Sequence, residues 1–139
     1  MAERSDRELL EDLLAREHRL LSAYEAALRR DAIAAELGER LRDHELEHVR
    51  AIEQTLAARG RRNPRATVPP PELNAAVRSR ASFARYAIDL EGQAVAAYTD
   101  AAASIRDPGL RQPLGSIMTC TAAHEVALRD SLGERQLVP

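Results

Sequence analysis

Apolar residues recur along this chain at intervals of three and four, the spacing of one helix face, and nowhere keep up the strict alternation of a half-buried strand. The first such stretch opens on Ser5 with Glu8 three residues later, a capping box that satisfies backbone N–H groups at a helix start. Leu10, Leu13, Leu14, Leu20, Leu21 and Leu28 then hold the helical period to about Arg30. A second stretch runs from about Asp31 to Arg59, with Gly60 placed as its C-terminal stop. The following segment, 60–71, reads GRRNPRATVPPP, and its four prolines exclude a helix interior. Helical spacing resumes over 72–106, pauses at the turn sequence Asp107-Pro108-Gly109, and continues over 108–132. The pattern predicts an all-α fold: a four-helix bundle in one domain, 1–139, with helices at about 5–30, 31–59, 72–106 and 108–132.

The connections are short, long, short. Twelve residues of extended proline-rich chain reach roughly 37 Å, and a helix of about 26 residues is about 39 Å long. The 60–71 segment is therefore long enough to cross nearly the whole bundle, which would make the second and third helices parallel. A plain linker between two helical hairpins is the other reading of that length. The halves also resemble each other: Glu17, Ala23, Tyr24 and Ala27 recur as Glu91, Ala97, Tyr98 and Ala101, and Glu45-x-x-His48 is echoed by Thr121-x-x-His124. An internal duplication accounts for this.

Composition adds limits. The 139 residues carry a formal charge of −2, which implies neither a nucleic-acid nor a membrane partner. Every basic residue is Arg, a bias we assign to nucleotide composition rather than to function. Cys120 is the only cysteine, so there is no internal disulfide and no paired-cysteine zinc motif. The charged start Met1-Ala2-Glu3-Arg4-Ser5-Asp6 lacks the apolar stretch of a signal peptide, and no apolar run reaches membrane-spanning length; the expected location is cytoplasmic.

Registration carries the functional signal. In an antiparallel hairpin, residues equidistant from the turn share a height. Glu17 and the pair Glu45/His48 are centred on residues 31–33, and Glu91 and the pair Thr121/His124 on residues 106–108. Each hairpin thus sets a carboxylate level with an i,i+3 pair on the neighbouring helix. Buried carboxylates and imidazoles are costly unless they are paired or bind metal. One Glu from each of two helices, with Glu-x-x-His from the other two, is the dinuclear carboxylate pattern.

On these residues the chain resembles the ferritin-like superfamily, including bacterioferritins and rubrerythrins, over about residues 9–130. The resemblance implies iron or manganese as cofactor. Glu17 and Glu91 would be terminal carboxylates, Glu45 a bridging one, and His48 and His124 the histidine ligands. Tyr24, Tyr98 and Thr121 would stand just behind them. It also implies a di-metal carboxylate oxidoreductase or an iron-handling protein, without choosing between them. Thr121 departs from the pattern, because a second bridging Glu should stand there. Three carboxylates leave one positive charge of two divalent ions uncompensated, and a hydroxyl is a poor ligand for a hard cation.

Other readings compete. His44-Glu45-x-x-His48 matches the HExxH zinc-protease helix, but no strand is at hand to edge a substrate cleft. His18 and His44 read as surface residues, Tyr24 and Tyr98 also as core aromatics, and Cys120 as a small buried hydrophobe. A metal-free helical module for dimerisation or partner binding is the alternative function. Pairing of helix faces would make a homodimer. The few residues after the fourth helix, Gly133 to Pro139, are too short for the extra helix of cage-forming ferritins.

Overall fold

The computed structural model describes residues 3–60 and 69–133. Helix α1 spans Asp6–Arg29 and α2 Ala35–Ala57; a short α3, Glu72–Ala76, leads into α4, Arg80–Ser104; a 3-10 turn at Pro108–Leu110 precedes α5, Arg111–Ser131. The four long helices form the expected bundle, and no strand occurs among the described residues.

Local chemistry sets the ends. Ser5 caps α1 by accepting from the Glu8 backbone N–H at 3.1 Å, with Asp6 and Glu8 in the first turn where the helix dipole favours acids. Gly60 follows α2 at φ 76°, a left-handed stop that glycine enters without strain. Two boundaries differ from the sequence pattern. The second helix starts at Ala35 rather than Asp31, because Asp31 takes φ 54° and ends the first helix, and Ala32 and Ile33 turn into the core instead. The third helix is broken at residues 77–79. Ser79, with extended backbone, accepts from Ser82 N–H at 3.0 Å, and Ser82 Oγ donates to Ala76 O at 2.6 Å, so serine hydroxyls replace the helical ladder there.

Contacts at the bundle ends fix the directions. Asp6 accepts from the backbone N–H groups of Arg106 and Asp107 at 2.8 and 2.9 Å, tying the start of α1 to the end of α4. At the opposite end Arg80 pairs with Asp31 at 3.0 Å, so α1 and α4 are antiparallel. Arg59 pairs with Asp107 at 2.6 Å, which puts the end of α2 beside the end of α4. Helices α2 and α4 are therefore parallel, and the chain between Gly60 and Pro69 joins opposite ends of the bundle. Of the 60–71 crossover, residues 61–68 lie outside the described residues.

The core is apolar above and below a polar middle. Leu10, Leu13, Ile52, Leu56 and Leu114 fill one end; Ala27, Leu41, Phe83 and Leu128 fill the other. Fully burying such a side chain contributes about 1.5–3 kcal/mol. On α5 the buried positions Leu114, Ile117, Thr121, His124 and Leu128 keep an unbroken three-four spacing, and on α1 Glu17 lies in the same stripe as Leu13 and Leu20. The packing stripes therefore carry the polar residues inward with the apolar ones. No described helix is long and apolar enough to cross a membrane.

Candidate metal centre

Among the described residues six polar or charged side chains are buried, and all six stand at mid-height: Glu17 on α1, Glu45 and His48 on α2, Glu91 on α4, and Thr121 and His124 on α5. Glu17, Glu45 and Glu91 have no exposed surface at all. Spacing had placed these side chains at one level, and the bundle brings them together.

The groups converge as two triads that share Glu45. In one, His48 Nδ1 lies 3.5 Å from Glu17 Oε2 and 3.4 Å from Glu45 Oε2. In the other, His124 Nδ1 lies 2.9 Å from Glu45 Oε1 and 3.0 Å from Glu91 Oε1, with its hydrogen bond directed to Glu91. One ligand atom from each member of a triad falls within 4.8 Å of the others. The two oxygens of Glu45 thus face different histidines, the arrangement of a bridging carboxylate.

Two tyrosines cross the α1–α4 interface reciprocally. Tyr98 of α4 donates to Glu17 of α1 at 2.5 Å, and Tyr24 of α1 donates to Glu91 of α4 at 2.6 Å. Both rings are buried, and Tyr24 packs edge-on against Phe83. Each hydroxyl holds one oxygen of its carboxylate and leaves the other free. Thr121 behaves differently: its hydroxyl donates to the Ile117 carbonyl at 2.9 Å, back along its own helix, and makes no hydrogen bond to the carboxylates.

Glu17 Oε2, both Glu45 oxygens, Glu91 Oε2 and His48 Nδ1 are buried without a hydrogen-bond partner. Buried polar atoms are ordinarily satisfied, and each exception needs a reason. Five in one cluster, with carboxylate and imidazole donors only, fit a site for cations such as iron or manganese.

Electrostatics point the same way. Burial pushes the Glu45 carboxyl up to about 8, and the adjacent Glu17 carboxylate adds to the rise. Burial acts in the same sense on Glu17, but the adjacent Glu45 carboxyl, the His48 imidazole and the Tyr98 hydroxyl outweigh it and hold Glu17 below the usual carboxylate range. Burial alone would lower both histidines. Against it, Glu17 and Glu45 raise His48 to about 11, and Glu45 and Glu91 raise His124 to about 10. Burial, with their carboxylate partners next, pushes both tyrosine hydroxyls up. The carboxylates thus favour protons on Glu45 and both histidines, the charge that bound cations would otherwise supply.

Two residues near the site had read as ordinary. His44 and Cys120 are half-buried and lie against the outer edge of His124, rather than being a surface histidine and a buried hydrophobe. The signal was available: Cys120 precedes His124 by four residues, which sets them on one helix face. His18 is half-buried and pairs with Glu53 at 3.5 Å, away from the centre. Glu125 reaches toward Gly92 on α4, on a different side of α5 from His124.

Residues 5–134 match the family model described as a ferritin-like domain. No curated protein and no solved structure matches the chain significantly.

Proposed function

Because the chain belongs to the ferritin-like domain family, we propose that it is a metal-binding bundle whose Glu17, Glu45, His48, Glu91 and His124 hold iron or manganese. One observation carries the reading: five buried atoms without a hydrogen bond, contributed by three carboxylates and a histidine set among one another's charges, gathered around the shared Glu45. A structural polar network would satisfy its own members.

In this reading Glu17 and His48 make one half of the centre, Glu91 and His124 the other, and Glu45 joins them. Tyr24 and Tyr98 fix the orientation of the terminal carboxylates. A redox-active ion bound there supplies one-electron chemistry toward oxygen, peroxide or iron itself. The protein's own part is to exclude water, hold the ligand geometry, and release the protons now on His48, His124 and Glu45. The missing fourth carboxylate at Thr121 lowers the negative charge, so the second ion is the weaker one.

Metal analysis of the protein purified from iron- and manganese-supplemented medium, followed by calorimetric titration with ferrous or manganous ion, tests the proposal. Bound iron or manganese that Glu45→Gln largely abolishes is the expected result. No uptake of either ion by the wild-type chain would overturn it and leave the metal-free helical module as the function.

A further inference from the structure

We infer that a second and softer metal site lies on the outer flank of His124, formed by Cys120 Sγ, His44 Nδ1 and His124 Nε2, and that it takes a thiophilic divalent cation of the zinc class. The three atoms belong to α2 and α5 and close on one another from two helices. His44 Nδ1 is 3.0 Å from His124 Nε2, and Cys120 Sγ is 3.7 Å from His44 Nδ1 and 3.5 Å from His124 Nε2. A tetrahedral ion with metal–nitrogen distances of about 2.0–2.1 Å and metal–sulfur of about 2.3 Å separates its ligands by roughly 3.3 Å between nitrogens and roughly 3.6 Å between sulfur and nitrogen. The triad already has the edges of such a tetrahedron to within a few tenths of an ångström.

Ligand chemistry separates this site from the inner one. The inner centre offers carboxylates and imidazole, which suit hard or intermediate cations; a thiolate with two imidazoles selects zinc, copper(I) or cobalt over manganese. Placement separates them too, since His44 and Cys120 are half-exposed while the three inner carboxylates are sealed. Three protein ligands leave the fourth position open to solvent, as in zinc sites that hold a water.

His124 is oriented for this use. Its Nδ1 hydrogen-bonds Glu91 at 3.0 Å and lies 2.9 Å from Glu45. A metal-bound histidine characteristically donates its other ring N–H to a carboxylate, which fixes the tautomer and raises its basicity. The near-parallel His44 and His124 rings, with centroids 5.2 Å apart and planes 7° apart, now meet almost edge to edge through their facing nitrogens, so an ion must displace the proton between them and tilt each ring to turn its lone pair toward the thiol side. The site takes Nε2 of His124, opposite the nitrogen that faces the proposed inner centre; with Nδ1 keeping its proton for Glu91, it fills in place of an inner ion on that histidine, and it needs none of the inner carboxylates as ligands.

Cobalt(II) is the probe, because a thiolate-to-cobalt charge-transfer band can arise only at Cys120, the one sulfur ligand of its kind in the chain. Titration of the reduced protein should produce that band together with visible transitions of tetrahedral intensity, and stoichiometric zinc should abolish both. Cys120→Ser should remove the band, and His44→Gln should weaken cobalt affinity by more than about a hundredfold, beyond the roughly 10–100-fold effect of losing an outer-shell partner. Glu17→Gln, which damages only the inner centre, should leave the band intact; failure of the inner reading is thereby distinguishable. Absence of the band at excess cobalt in the folded wild-type protein would overturn the inference. So would a band unaffected by His44→Gln, since the cysteine would then bind alone.

Discussion

Tyr98 reaches across from α4 to donate its hydroxyl proton to Glu17 of α1 at 2.5 Å, deep inside the bundle. Its counterpart Tyr24 makes the mirror contact with Glu91. The exchange locks two helices that belong to different hairpins, so the same bonds that orient the carboxylates also hold the hairpins together.

Removing the Tyr98 hydroxyl leaves a fully buried Glu17 oxygen without a donor, and such a loss costs about 1–3 kcal/mol, whereas the Glu91 oxygen held by Tyr24 keeps its bond from His124. Tyr98→Phe should destabilise the metal-free protein by that amount and Tyr24→Phe by less, read from urea denaturation at constant slope. A midpoint unmoved by either change would mean that the hydroxyls do not orient the carboxylates.

The pH dependence has a definite sign. His48 and His124 are raised from 6.5 to about 11 and about 10, so their stabilisation is complete below pH 6.5 and is lost as pH rises through those values. Glu45, raised from 4.5 to about 8, acts in the same direction over its own range. The chelator-treated protein should therefore melt at lower temperature as pH climbs from 6.5 toward 10. Manganese affinity should climb over the same range, because ligands must lose their protons to bind. Thermal melts with chelator and with manganous ion, plus calorimetry in buffers of different ionisation heat, measure both; parallel rather than opposed trends would contradict the proton-for-cation exchange.

Thr121→Glu restores a fourth carboxylate three residues before His124. With excess manganous or ferrous ion, occupancy of the weaker position should rise and the variant should melt higher than it does without metal. Without metal the added carboxylate is buried and unpaired, which costs several kcal/mol or drives its pKa upward. The loss of the Thr121 bond to Ile117 adds to that cost. A variant that melts lower and takes up no additional metal would show that the position cannot serve as a ligand.

Gly38 packs its bare Cα against the end of α1: a Cβ there would stand 2.6 Å from Leu28 Cδ2 and 2.7 Å from Ile33 Cγ2. Gly38→Ala gains up to about 1 kcal/mol of helix propensity. It must also displace two packed side chains, and overpacking costs typically about 1–3 kcal/mol. The expected net effect is destabilisation of about 1 kcal/mol by chemical denaturation; a stabilised variant would mean that both side chains swing aside freely.

Much of this molecule could be read from the sequence because periodicity and registration are both properties of spacing. The stripe containing Leu13, Glu17 and Leu20 gives the buried face of α1, and the distance from Glu17 to the turn gives its height against Glu45. Spacing is silent on what a side chain does once it is inside. Nothing in Thr121-x-x-His124 says that the hydroxyl bonds its own helix, and nothing in the tyrosine repeat says that each tyrosine serves the opposite hairpin's glutamate. The break at residues 77–79 was hidden for a related reason. Ser79 and Ser82 sit in a stretch that keeps helical spacing on both sides, and their capping bonds form only in the folded geometry.

The five-residue elbow between Arg29 and Ala35 is the vernier of the first hairpin. One residue added there would displace α2 by about 1.5 Å along its axis and turn it by about 100°, swinging Glu45 out of reach of Glu17. The same addition between Gly60 and Pro69 alters neither hairpin internally. Insertions and deletions among descendants of this sequence should therefore gather in the crossover and spare the elbow, making length variation, rather than residue identity, the inherited record of which connection sets the distances at the centre.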